Sequence, residues 1–377
     1  MRTFTEKNKH VFFGYYDITP FSLDDSLLLA MHAPLGNKTP NPQSSVKIGF
    51  YKLADEKPVF NEIGYSVTWC WQQGCRLQWY PRDSSQTVLY NNIINGRYGC
   101  IIQDIHKKKI IKKYNRPIYA VSNNGRWGLS LNFSRLQRLR PGYGYNVILD
   151  ETQCDLRPNN DGIWRIDMDT GEEKLLFSLV DIADIRHVKS MQGAEHYFNH
   201  LLFNPDCTRF LFFHIWVANK NKRKIRLFTS DIEGGNIYLL NDSGHTSHYC
   251  WKSAEQLLAY STHKETGTHF YLYDDITKKR QIIGNGVLNE DGHPSFIFNN
   301  RGIIVDTYPD KYGDQRLLLY KEDRVFELTR CYSPPKYMGE TRCDLHPRMN
   351  RSGQSVCFDS AAAGKRQMYV MKLENIS

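Results

Sequence analysis

Histidines precede strand-like runs at four places in this sequence, and each lies at a similar distance from a turn signal further along the chain. The pairs are His200 and Asp206, His248 and Ser253, His293 and Asn300, and His346 and Ser352, with separations of 6, 5, 7 and 6 residues. In a repeat protein, equal phase means equal position within the repeat, so repeats around an axis would bring these side chains together. Converging imidazoles suit metal binding or proton transfer.

Metal binding is the first chemistry that these residues suggest. His248, His293, Cys343 and His346 offer three imidazoles and one thiolate, a donor set that suits tetrahedral zinc. Cys343 and His346 are three positions apart in an expected extended turn, a spacing that lets two ligands hold one ion. His200 is a fifth candidate. The alternative is that each histidine packs at the start of a strand and hydrogen-bonds to backbone.

The elements that must position these residues are strands, because short apolar or alternating runs bounded by turn residues occur along almost the whole chain. Turn signals recur at intervals of 59, 41, 82, 47, 47 and 52 residues. They are centred on Asp24, Asp83, Asn124, Asp206, Ser253, Asn300 and Ser352. Six intervals imply seven units of roughly 40–50 residues, the length of one blade of a β-propeller.

The spacing predicts an all-β fold, a seven-bladed β-propeller formed by a single domain of residues 1–377. The interval of 82 residues corresponds to one blade with an insertion around 138–158. The last blade is short of a strand, and His10–Asp17 is expected to supply it, so the N- and C-terminal strands would pair and close the sheet. The best helical candidate is the segment 175–185. The alternative is a two-domain β-rich protein with coincidental turn spacing.

Composition limits the partners. The net charge is +9, but the basic residues are dispersed without a recognised nucleic-acid motif, so nucleic acid is not expected. A moderately basic surface also suits an anionic glycan. The sequence contains no apolar run that predicts a signal peptide or a membrane span, so a cytoplasmic location with nine reduced cysteines is expected.

Several phrases of the sequence resemble the propeller-fold polysaccharide lyases, the group of the oligogalacturonate and ulvan lyases. The matching stretches are Gly14–Asp17 with Pro20, Tyr119–Trp127, Phe133–Leu136, Arg140–Tyr145, Phe198–His200, Ser247–Tyr249 with Trp251, Asp291–Pro294, Asp306–Asp310, Arg342–Arg348 and Arg366–Tyr369. The likeness spans nearly the whole chain. It implies a seven-bladed propeller that cuts 4-linked uronate glycans by β-elimination and binds a metal through histidines of successive blades.

The resemblance also bears on the identity of the metal. In the oligogalacturonate branch a glutamine lies among the ligands, three residues before a histidine, and Cys343 takes that place here. A thiolate favours zinc over manganese, which stays the alternative, and a structural over a catalytic role.

The elimination needs a cation to neutralise the carboxylate, a base to remove the C5 proton and an acid to protonate the leaving oxygen. Arginine is the natural neutraliser because its planar fork matches a carboxylate. The candidate catalytic residues are Arg135 as neutraliser, His196, His200 and His214 as bases, and Tyr145 and Tyr197 as acids. Arg138, Arg140 and Tyr143 are candidates for binding the anionic oligosaccharide.

One position departs from the pattern of the related lyases, which places an arginine between the histidine and tryptophan of a strand. Here the run is His214, Ile215 and Trp216. Either another arginine substitutes, or the substrate differs, or activity is lost. The rival functions are another glycan-processing enzyme on this scaffold, such as a glycosidase or transferase, and a non-catalytic glycan- or protein-binding propeller.

Overall fold

The computed structural model describes residues 1–218, 222–297 and 300–373. Short strands dominate it from end to end. The strands up to residue 114 are β1 (Arg2–Phe4), β2 (Lys9–Phe12), β3 (Leu27–Pro34), β4 (Val46–Lys52), β5 (Asn61–Ser66), β6 (Gln78–Trp79), β7 (Thr87–Ile94), β8 (Arg97–Asp104) and β9 (Ile110–Tyr114).

The middle of the chain contributes twelve strands and two short α-helices. The strands are β10 (Ala120–Val121), β11 (Trp127–Ser130), β12 (Gly162–Asp167), β13 (Glu173–Ser178), β14 (Glu195–Phe203), β15 (Arg209–Ala218), β16 (Lys222–Asp231), β17 (Tyr238–Gly244), β18 (Thr246–Trp251), β19 (Gln256–His263), β20 (Gly267–Asp274) and β21 (Arg280–Ile283). The helices are α1 (Phe133–Leu139) and α2 (Leu179–Asp184).

The C-terminal part adds seven strands. They are β22 (Ser295–Ile297), β23 (Gly302–Asp306), β24 (Asp314–Lys321), β25 (Arg324–Tyr332), β26 (Arg348–Met349), β27 (Ser355–Ser360) and β28 (Gln367–Lys372). Single turns of 3₁₀-helix lie at Pro81–Asp83, Lys189–Met191 and Gly339–Thr341. No helix in the described ranges is both long enough and apolar enough to span a bilayer.

All these strands form seven four-stranded antiparallel sheets, and the fold is the predicted seven-bladed β-propeller. The chain divides into two compact units, residues 1–115 with 286–377 and residues 116–285. The first unit holds the sheets β2–β5, β6–β9, β22–β25 and β26–β28 with β1. The second holds β10–β13, β14–β17 and β18–β21. The assignment of 1–377 to a single domain stays a prediction.

The predicted closure by the two chain ends is confirmed, although a different strand performs it. β1 pairs with β28, with Thr3 opposite Tyr369. The segment 10–17 was the wrong choice, because His10–Phe12 pairs with β3 as the first strand of the next sheet. That strand ends before Gly14, whose φ of 129° leaves the extended region.

In the sheet β10–β13, the segment between β11 and β12 includes a helix that the sequence pattern did not predict. An insertion around 138–158 stays a prediction. Asn132 caps α1, since its side chain accepts a hydrogen bond from the Arg135 amide. The helical candidate at 175–185 is half right: α2 begins after Ser178, which forms a capping box with Asp181. The residues before it belong to β13.

Apolar side chains form the cores, and the buried Phe12, Met31 and Trp69 belong to one hydrophobic cluster of the first unit. The nine cysteines are free, as predicted. Most of them are buried and therefore act as small apolar side chains.

Candidate functional site

The first unit brings together His293, Asp344 and His346, a group called here the His–Asp cluster. One ligand atom from each of these buried residues lies within 4.8 Å of the others. The two imidazole rings meet edge to face, with their centroids 4.3 Å apart. Two imidazoles and a carboxylate form a donor set that binds zinc, manganese or iron and leaves coordination positions open.

Segments just before the first strands of two sheets carry the cluster. His293 lies shortly before β22, and His346 lies two residues before β26. His346 adopts a φ of 47°, a left-handed conformation that is rare for residues other than glycine. Such conformations concentrate at functional sites, where the surrounding structure enforces them.

Asp306, at the end of β23, fixes both histidines. Its carboxylate accepts hydrogen bonds from the backbone amides of His293, at 2.7 Å, and His346, at 2.9 Å. It also contacts Nδ1 of His293 at 2.8 Å. These contacts hold the two histidines next to each other although they are far apart in sequence.

The Nδ1 atom of His346 faces the Gly14 carbonyl oxygen at 2.9 Å. A carboxylate on one ring and a carbonyl on the other both accept a hydrogen bond from a protonated Nδ1, which leaves Nε2 of each ring as the nitrogen that could bind a metal. Metal-binding histidines in proteins typically have such a partner on the other nitrogen. Glycine is required at position 14, because a Cβ there would come within 3.0 Å of the Gln73 backbone. The residues present therefore fit a divalent metal.

Tyrosines line the His–Asp cluster. The ring centroid of Tyr15 lies 4.8 Å from that of His346, and the ring centroid of Tyr16 lies 5.0 Å from that of His293. Tyr308 lies 6.0 Å from His293 by the same measure and is half-buried. Tyr15 and Tyr16 are buried and therefore shield the cluster from water, whereas Tyr308 keeps part of its surface exposed.

Arg342 is a cation beside the cluster. Its Nε donates a hydrogen bond to Asp344 Oδ2 at 2.7 Å, and its guanidinium carbon lies 5.9 Å from the centroid of the Tyr308 ring. The Arg342 side chain keeps 23% of its surface exposed, whereas Asp344 keeps 2%.

Cys343 and His248, the other two predicted ligands, are placed differently. Cys343 packs with Tyr337 and Ala361, and burial raises the pKa of its thiol to about 12. Its sulfur is not part of the metal-binding group found among the described residues. His248 belongs to β18 of the second unit, where its Nδ1 lies 3.2 Å from the Ser247 hydroxyl. Metal binding by either residue stays a prediction.

In the second unit, His196 and His214 form a stacked pair. Trp216 lies opposite His196 in the register of β14 and β15, so His196 and His214 are diagonal neighbours on one face. Their rings are 5.0 Å apart at 12°, and His196 Nδ1 contacts His214 Nε2 at 2.8 Å. Both side chains are fully buried.

Arg226 completes the stacked pair from β16, where it lies directly opposite His214. Its Nη2 is 3.0 Å from His214 Nδ1 and donates at 2.9 Å to the Ile182 carbonyl. Burial lowers the pKa of His196 to about 4, and burial and Arg226 hold the pKa of His214 well below its usual value. Both rings are therefore neutral at pH 7. A role for either as a base stays a prediction.

His200, the third candidate base, is 9% exposed and adopts a left-handed φ of 58°. Its ring packs edge to face against Tyr249, with the centroids 5.3 Å apart, and against Tyr143, with the centroids 5.9 Å apart. Tyr197, a candidate acid, is buried, and burial raises the pKa of its hydroxyl to about 12. Tyr145 is equally buried and stacks on Phe133.

Arg135 and Arg138, two of the predicted carboxylate-binding arginines, hold the segment between β11 and β12 in place. Arg135 is 1% exposed. Its guanidinium donates to the carbonyl oxygens of His196, Thr152, Asp155 and Leu156. Arg138 donates to Asp150 Oδ2 at 2.7 Å and to Glu195 Oε2 at 2.9 Å. Arg140 lies over the Tyr143 ring, with its guanidinium carbon 4.8 Å from the centroid. Binding of substrate by these residues stays a prediction.

Sequence reasoning missed Asp344 and Asp306, although both lie in stretches that resemble the lyases. A signal for Asp344 existed. Side chains alternate in an extended run, so residues two apart share a face, and Asp344 is two residues from His346. Asp306 had no such signal, because its contact with His346 spans 40 residues.

Comparison with known proteins bears on the fold. The chain is similar to an oligogalacturonate lyase from Vibrio parahaemolyticus, with a TM-score of 0.67, 12% identity, and coverage of 98% of this chain and 93% of that one. The β-propeller domain of the Trilobed protease from Pyrococcus furiosus matches with a TM-score of 0.54, 11% identity, and coverage of 98% and 97%. The chain shares their propeller fold.

The hydrazine synthase of Kuenenia stuttgartiensis also matches, with a TM-score of 0.52, 10% identity, and coverage of 96% of each chain. Searches of family models and of curated proteins give no match. Because proteins of such different activities share this fold, function must be argued from the site.

Proposed function

We propose that this protein is a carbohydrate-active enzyme that cleaves a 4-linked uronate glycan by β-elimination, at a site built on the His–Asp cluster. The observation that carries the proposal is the orientation of His293 and His346, whose Nδ1 atoms face Asp306 and the Gly14 carbonyl. The likeness of the fold to an oligogalacturonate lyase supports the choice of reaction.

In this reaction the C5–H bond of the uronate breaks and its electron pair forms a C4–C5 double bond. The C4–O bond to the next sugar breaks, and the leaving oxygen takes up a proton. Atoms and electrons balance without an oxidant or a further reactant. The carboxylate makes the C5 proton removable, because an adjacent cation lets the developing charge spread onto its oxygens.

His293, Asp344 and His346 would hold the metal, with Asp306 keeping the two rings in place. Bound there, a divalent ion supplies the positive charge that the carboxylate of the substrate needs as C5 loses its proton. We propose that the ion is zinc or manganese, since two imidazoles and a carboxylate suit both metals.

Tyr15 and Tyr16, which are buried, would shield the site from water, and the half-buried Tyr308 would pack against the sugar. A role for His200 as a base stays a prediction; its side chain is 9% exposed, whereas those of His196 and His214 are completely buried.

The test measures metal content and turnover on the same preparations. Metal is determined by mass spectrometry of protein purified without chelator, and turnover by the ultraviolet absorbance of the unsaturated product from 4-linked uronate oligosaccharides. We expect about one metal ion per chain, loss of metal and product in His346→Ala, and retention of both in His187→Ala, which removes an exposed histidine.

Other outcomes discriminate the rival functions. Cleavage without an unsaturated sugar would point to a glycosidase or transferase. Tight binding of uronate oligosaccharides without turnover would point to a binding module. Folded wild-type protein that binds no metal would contradict the proposed site.

A further inference from the structure

Arg342 has a rigidly fixed backbone. It follows the 3₁₀ turn at Gly339–Thr341, and its carbonyl oxygen accepts hydrogen bonds from Arg366 Nη2 at 2.8 Å and from Gln72 Nε2 at 2.9 Å. Both donor side chains belong to residues that are at most 3% exposed. The backbone from which the Arg342 side chain extends is therefore held as firmly as that of a core residue.

The position of its guanidinium distinguishes Arg342 from other arginines of the first unit. Arg348 forms a buried ion pair with Asp359 at 3.0 Å, and Arg76 forms one with Asp17 at 2.9 Å. The side chains of those two arginines are at most 1% exposed, against 23% for Arg342. Of the three, Arg342 presents its charge to solvent beside the His–Asp cluster.

The charges of the cluster show why a further cation is required. Asp306 and Asp344 together carry two negative charges, which a divalent ion would only balance. An acidic sugar would then meet a site without net positive charge unless another cation were present.

We propose that Arg342 binds the carboxylate of the uronate and thereby selects acidic over neutral or esterified sugars, an inference that rests on the proposed function. The Nε contact to Asp344 sets the plane of the guanidinium. The Nη1–Nη2 edge of a guanidinium is the fork that matches a carboxylate with two parallel hydrogen bonds. Tyr308, which lies under the same guanidinium, restricts its motion further.

Binding is measured by calorimetry on metal-loaded protein, with trigalacturonate and its methyl ester as probes and other 4-linked uronate trisaccharides if trigalacturonate does not bind. We expect Arg342→Gln to weaken binding of the acid about 10- to 100-fold, and binding of the ester far less. Arg342→Lys keeps the charge but loses the fork, so an intermediate loss is expected. Arg330→Gln, which removes an exposed arginine paired with Glu327, is the matched control.

Three results would overturn the inference: unchanged binding of the acid by Arg342→Gln, an equal loss for acid and ester, or loss of the metal from that variant. The last would mean that Arg342 acts only by positioning Asp344. Absence of binding of every acidic probe to the wild-type protein would overturn both proposals. If the wild-type protein binds an acidic probe but forms no unsaturated product, the proposed lyase activity would be contradicted. The role of Arg342 would still be decided by the affinities of wild type and Arg342→Gln for the acid and the ester.

Discussion

Two pairs of histidines in this molecule are equally buried but have neighbours of opposite charge. In the His–Asp cluster, His293 and His346 face carboxylates and a carbonyl oxygen. In the stacked pair, His214 faces the guanidinium of Arg226. A carboxylate keeps a proton on Nδ1 and strengthens the other nitrogen as a ligand, whereas a buried cation opposes any further positive charge.

The difference shows that the neighbours of a histidine, more than its burial, decide what it can do. The first pair has the surroundings of a metal site. The second has those of a polar core contact, in which one ring accepts from Arg226 and the rings stack beside Trp216. Four predictions test this contrast, from the largest expected effect to the smallest.

Replacing a cluster histidine should have the largest effect. His293→Ala removes one of three donors, so we expect metal content to fall from about one ion per chain to nearly none. The measurement is mass spectrometry of the purified variant, with circular dichroism to show that it is folded. His214→Gln is the matched comparison in the stacked pair and should retain its metal. Equal metal loss in both variants would remove the distinction between the pairs.

The stacked pair should instead control stability, with a defined dependence on pH. The pKa of His196 is about 4 in the folded protein, against about 6.5 in the unfolded chain. The unfolded chain therefore binds more protons between these values, and the free energy of unfolding falls as pH falls from 6.5 to 4. For His196 alone the loss is on the order of 3 kcal/mol.

Urea unfolding of the wild type and of His214→Gln across pH 4–7 isolates the contribution of the stacked pair. The comparison is needed because burial also lowers the pKa values of His10 and His32 to about 4. We expect the stability difference between the two proteins to be largest at pH 7 and to shrink towards pH 4. A difference that does not change with pH would contradict the assignment of neutral, buried rings.

Asp306→Asn should weaken the metal site without removing a ligand. An amide cannot accept hydrogen bonds from two backbone amides and a ring N–H as a carboxylate does. The two histidines would therefore lose the hydrogen-bond acceptor that they share. Loss of such a partner typically reduces metal affinity 10- to 100-fold. Competition with a chelator of known affinity measures it. Asp310→Asn, which changes an exposed carboxylate that follows the same strand, should have no effect.

The sequence predicted the architecture better than the site, for a physical reason. Turn spacing and alternating apolar residues are local signals. They predicted the seven blades, and they predicted that His293 and His346 lie close together. The partners of the histidines depend on contacts between distant segments. Asp306 and Gly14 reach His346 across 40 and 332 residues, and Arg226 meets His214 through the register of two strands. Local pattern does not contain these contacts.

The smallest expected effect concerns Cys343, where the sequence-based ligand set and the observed cluster disagree. Cys343 packs with Tyr337 and Ala361, and its sulfur lies outside the metal-binding group found among the described residues. Cys343→Ala should leave metal content unchanged and cost about 1 kcal/mol of stability, the effect of a small cavity beside Tyr337 and Ala361. Asp344→Ala should release the metal. If Cys343→Ala released the metal instead, coordination by the Cys343 thiolate would be supported, and zinc would be favoured over manganese.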